Sequence, residues 1–139
     1  MLTAVVGIVV GLLVLAFVVA VTLDKGPPPA DVAFAYEQAW DHLDFSSLWA
    51  LSADELRDGL DRKAFVAAKE AAYAQRRGLG HLARSISVEE IGVHGGTAVA
   101  HTKVDLHDGD TARHEVHLAH RAGRWVVTEY HLRADAAST

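Results

Sequence analysis

The sequence predicts an α+β domain carried behind one membrane-length apolar segment. Three observations predict it. Leu2 to Leu23 is an unbroken apolar run whose hydroxyls, Thr3 and Thr22, stand near its ends. From Asp31 to Arg77 the apolar residues fall into short helical patterns. From Leu82 onward the period changes to two, with glycine-bearing breaks at Gly95-Gly96, Asp108-Gly109 and Ala122-Gly123. Helices followed by an antiparallel meander give a sheet covered on one face.

The apolar run comes first. At helical rise its length is about 33 Å, slightly more than the hydrocarbon thickness of a bilayer. A lone segment of that length in lipid satisfies its backbone only as a helix. The run is too long for a signal-peptide core and lacks a basic start, so residues 1–23 are expected to stay as a transmembrane helix. Lys25, just beyond it, places the following domain on the cytoplasmic side of the cell membrane by the positive-inside rule. Gly7 and Gly11 form one small-x-x-x-small pair, and Ala16 and Ala20 a second. Gly7 and Ala16 lie on opposite helix faces, so each stripe could receive a neighbouring helix closely.

Residues 24–30 read as a linker, because Gly26-Pro27-Pro28-Pro29 favours a stiff extended spacer. The soluble domain then spans residues 31–133, and residues 134–139 form a tail with little to bury. Asp31 is the expected N-cap of a helix to Leu43, with Phe34, Tyr36, Trp40 and Leu43 on its apolar face. A break at Asp44-Phe45-Ser46-Ser47 precedes a short turn of helix, Leu48 to Leu51. Ser52-Ala53-Asp54-Glu55 has the form of a capping box opening a helix to Leu60. Asp61 caps a longer helix, Arg62 to Arg77, before Gly78. The expected strands are Ser85–Val93, Thr97–His107, Thr111–Arg121 and Arg124–Arg133.

Composition removes several function classes. The net charge of −5 argues against nucleic acid, whose phosphates need clustered Lys and Arg. The absence of cysteine excludes disulfides, thiolate metal sites and a thiol nucleophile. Asp108-Gly109-Asp110 is a turn and not a calcium loop.

Nine histidines are the main chemical feature. Two-residue turns would pair His107 with Asp110 and Arg121 with Arg124. Lys103, His114 and His131 would then share a row, with His101, Val116 and Glu129 beside it. His101 or His131 with Glu129 is the candidate catalytic dyad for acid–base work near neutral pH. No H-x-H or H-x-x-x-H chelate is present, so neither metal nor cofactor is expected. A solvated or partner-facing polar sheet face is the reading the pattern favours. Tyr36, Trp40, Trp49 and Tyr73 read as core aromatics.

Phe34-Ala35-Tyr36-Glu37-Gln38-Ala39-Trp40, Gly-Gly-Thr-Ala-Val-Ala and Ala-Gly-Arg-Trp-Val-Val stand in an order that resembles the nuclear transport factor 2-like (SnoaL-like) family, over Asp31 to Arg133. The resemblance implies a cone-shaped, cystatin-like α+β domain with a pocket on its concave face. That family holds isomerases, hydratases and non-catalytic modules, so the fold does not carry an activity across. One helix plus a compact domain also resembles the supernumerary subunits of actinobacterial respiratory assemblies. The expectation is therefore a non-enzymatic, single-pass accessory subunit touching integral membrane proteins and the lipid bilayer, with the cytochrome bcc–cytochrome oxidase supercomplex as its specific form. A tethered small-molecule-binding domain, or a small isomerase or hydratase using His and Glu129, are the alternatives.

Overall fold

Proline decides where the first helix begins. The computed structural model describes residues 26–133, and α1 runs Pro29–Asp41 with Pro28 as its N-cap. A first-turn N–H has no helical acceptor, so Pro29 costs nothing there and its fixed φ suits the helix. Asp31, the expected cap, lies inside the first turn. The buried stripe of α1 is Val32, Ala33, Tyr36, Glu37 and Ala39, whereas Phe34 is 38% exposed and does not join it.

Asp44 does not break the next helix but starts it. Its carboxylate accepts from the Ser47 N–H at 3.1 Å and the Ser47 hydroxyl at 2.6 Å, opening α2 at Phe45–Leu51. Those bonds hold the Asp44 carboxyl below its ordinary range. The Ser52 capping box does not form. The Ser52 hydroxyl donates back to the Leu48 carbonyl at 2.6 Å, and a single 3-10 turn follows at Asp54–Leu56. The Ala53 N–H instead donates to the Val127 carbonyl at 2.7 Å, tying this segment to the sheet. Asp61 caps α3, Arg62–Tyr73, through the Ala64 N–H at 2.8 Å. That helix ends four residues before Arg77 and gives way to tighter turns. The chain then passes close to α1, where Asp41 accepts from the His81 and Ala83 N–H groups at 2.6 and 2.9 Å. Gly80 allows this approach, since a Cβ there would stand 3.1 Å from the Leu43 side chain.

Strands β1 (Ala83–His94), β2 (Thr97–Leu106), β3 (Thr111–Arg121) and β4 (Arg124–Leu132) form one antiparallel sheet in sequence order. The Gly95-Gly96 turn pairs His94 with Thr97, and Arg121 pairs with Arg124. The β2–β3 loop is longer than expected. Its closing pair is Leu106 and Asp110, with Gly109 at φ +95, which is the three-residue turn with a left-handed last position. Each residue of β3 therefore shifts by one against β2, which exchanges its faces. A bulge after His117 then shifts β4 by one against β3. The expected rows are corrected accordingly. His101 stands opposite Glu115 and not Val116, and His114 opposite Thr102 and not Lys103. Glu129 stands opposite His117, and His131 opposite Glu115.

Helix α1 lies across one face of the sheet, α2 reaches β4 beside it, and α3 packs on α2. Ala33 on α1 and Ala98 and Ala100 on β2 are almost fully buried, so helix and sheet approach with little side chain between them. Leu48, Val116, Leu118 and Val127 fill the centre. Trp40, Phe45 and Tyr73 meet at ring separations of 5.6–6.5 Å and join the three helices. Among the described residues no helix is long and apolar enough to cross a membrane. The expected spanning helix, with Gly7, Gly11, Ala16 and Ala20, lies outside the described residues, as does the tail.

Candidate functional site

The sheet divides its ionisable residues between two faces. On the outer face a row of alternating carboxylate and imidazole side chains crosses the strands: Glu90, His101, Glu115 and His131. His101 sits between Glu90 at 3.4 Å and Glu115 at 3.7 Å. His131 meets Glu129 at 3.4 Å, and both side chains are more than half exposed. His101 and Glu129 are therefore not brought together as a dyad. His117, on the next row, donates from Nε2 to Glu115 Oε1 at 2.6 Å and faces Glu129 with Nδ1 at 3.7 Å. The contact with His117 holds the Glu115 carboxyl below its ordinary range.

The inner face carries a different arrangement. Glu37 on α1 is 3% exposed and receives groups from three strands. The Thr102 hydroxyl donates to its Oε1 at 2.6 Å and the Tyr130 hydroxyl to its Oε2 at 2.7 Å. His114 Nδ1 stands 2.8 Å from Oε1 and 3.1 Å from the Tyr130 hydroxyl. The Tyr130 proton is already given to Glu37, so the network assigns a proton to Nδ1 of His114, donated to Oε1. Nε2 has no protein partner among the described residues. Burial, then the Glu37 charge, push the Tyr130 phenol far above its ordinary range, so it stays a hydrogen-bond donor at neutral pH.

His114 and Tyr130 line a cavity of about 390 Å³ between α1 and the sheet. Its other walls are mainly apolar and include Leu43, Leu82, Val104, Leu106 and Ala112. Trp40 also lines it, with its indole N–H buried. The exposed Leu79 and Leu82 stand at its rim. This is the end of the sheet where β2 passes to β3. Gly26 packs at the opposite end, against Gly123 and Arg124 of the β3–β4 turn.

Chemically, a buried carboxylate that holds one imidazole nitrogen leaves the other free to accept a proton or a hydrogen bond. Apolar walls with a few convergent polar groups are the usual form of a small-molecule site. None of Glu37, His114 and Tyr130 was an expected site residue. Glu37 carried a signal, since it lies four residues after Ala33, in phase with the buried stripe. The signal for His114 was lost with the register.

Three helices with a four-stranded antiparallel sheet have counterparts in fold among solved structures. One, described as an NTF2-like transpeptidase from Campylobacter jejuni, superposes with a TM-score of 0.53 at 24% identity, covering 73% of this chain and 97% of that one. The fold is the nuclear transport factor 2-like cone. A SEC-C motif containing protein from Rhodopseudomonas palustris is similar at a TM-score of 0.51 and 14% identity, covering 74% of this chain and 77% of that one. At these identities the likeness is one of fold. No protein-family model matches the sequence, and no curated protein matches it.

Proposed function

We propose that the chain is a membrane-tethered binding domain whose cone pocket takes a small, mainly apolar molecule with one polar group. The observation that carries this reading is His114 in the lining of a mainly apolar cavity, its Nδ1 held by a buried Glu37 and its Nε2 without a protein partner among the described residues. The ligand's polar group pairs with that nitrogen. Binding, and not turnover, is the function proposed. The tether rests on the apolar run 2–23. A second reading, an accessory subunit of a larger membrane complex such as a respiratory supercomplex, rests on the Gly7/Gly11 and Ala16/Ala20 spacing.

One experiment tests both. The full-length chain is extracted in mild detergent, given naphthol (an apolar bicycle with one hydroxyl) and analysed by native mass spectrometry. One naphthol is expected to bind to the wild type and to be lost in Ala112→Trp, which fills the cavity. Equal retention by both proteins would overturn the pocket reading. Integral membrane proteins in the same spectrum support the subunit reading, and a chain running alone would end it.

A further inference from the structure

The bulge in β4 assembles a group of side chains that the pocket does not use. It places Glu129 opposite His117 on the outer face, with His131 two residues further along the same strand. One donor atom each from His117, Glu129 and His131 lies within 4.8 Å of the other two. Glu129 Oε2 is 3.7 Å from Nδ1 of His117 and 3.4 Å from Nε2 of His131. Ligand-to-ligand edges around tetrahedral zinc are about 3.3 Å, given metal–ligand bonds of about 2.0–2.2 Å. Small torsions of exposed side chains close that difference.

A second feature favours an ion here over a chance meeting of polar groups. The far nitrogen of His117, Nε2, is held by Glu115 Oε1 at 2.6 Å. A carboxylate on the far nitrogen fixes the tautomer of a metal-bound imidazole and raises its basicity. The ligands stand on paired strands, which hold geometry better than loops. The other group of this kind among the described residues, Asp41, His42 and His81, is less suited. Asp41 Oδ1 already accepts the Ala83 N–H at 2.9 Å, and the two imidazoles stack at 5.0 Å.

We propose that His117, Glu129 and His131 form a divalent transition-metal site on the outer sheet face, with Zn²⁺ as its ion and Glu115 as the residue that orients His117. Two imidazoles and a carboxylate without thiolate suit Zn²⁺ over softer ions. Three protein ligands leave a fourth position for water or a donor from a docking protein.

The test is calorimetric titration of the full-length chain in detergent micelles with Zn²⁺ alone, with Co²⁺ absorption reporting four-coordination. The expected result is one equivalent bound, weakened more than tenfold in His117→Ala and in Glu129→Gln. Glu115→Gln, which leaves all three ligands in place, weakens binding about 10- to 100-fold. All these side chains are at least partly exposed, and circular dichroism checks that each variant folds. Wild-type protein that binds no Zn²⁺ would overturn the proposal. So would full affinity in either ligand variant, or loss of binding only in the His42→Ala, His81→Ala double variant.

Discussion

Replacing Glu37 by leucine is expected to remove about 3–5 kcal/mol of unfolding free energy, because it leaves three buried donors without their acceptor at about 1–3 kcal/mol each. Folded domains hold only about 5–15 kcal/mol in total, so the change is a large fraction of stability. Glu37 accepts from Thr102, His114 and Tyr130, so one substitution strands donors on β2, β3 and β4 together. Leucine restores apolar volume but supplies no acceptor. Glu37→Gln keeps one carbonyl oxygen, and its cost is expected to be smaller. Urea denaturation followed by circular dichroism measures both. A loss below about 1 kcal/mol in Glu37→Leu, the worth of one ordinary hydrogen bond, would mean that the three donors are satisfied elsewhere.

Leu118→Ala is the second large effect, expected at about 2–5 kcal/mol. Leu118 is 1% exposed and stands between Ala98 and Val127 at the centre of the sheet, beneath the helices. Its neighbours are small or held in strands, so they cannot collapse into the space left behind. Leu132, on the next strand, is 73% exposed and provides the contrast. Leu132→Ala should change stability by less than about 0.5 kcal/mol. The same denaturation curves decide the matter, and equal effects at the two positions would contradict the placement of the core.

Much of the fold was legible in the residues. Period-two patterning from Leu82 and the glycine turns gave the four strands and their order, because a two-residue turn leaves little choice of partner. Asp61 was legible as a cap because its neighbours offer no competing acceptor. Ser52 was not, because its hydroxyl found a carbonyl in the turn before it. The register of β2 against β3 turned on whether the loop after Leu106 held two residues or three. His107-Asp108-Gly109-Asp110 fits either, and only the closed sheet selects one. The bulge at Thr128 leaves no local mark at all. These two single-residue shifts moved His114 to the inner face and set Glu129 against His117. The candidate site was hidden for the same reason. Its acid comes from a helix and its imidazole from a strand 77 residues further along the chain, so no sequence spacing could join them.

The central claim is that Glu37 holds the Nδ1 proton of His114 and leaves Nε2 as the pocket's acceptor. Nitrogen-15 NMR of the His114 ring, at a pH where it is neutral, tests this most directly. The account predicts protonated Nδ1 and bare Nε2, with the Nε2 signal moving when naphthol is added. A ring protonated at Nε2, with Nδ1 accepting from Tyr130 and no response to naphthol, would contradict it.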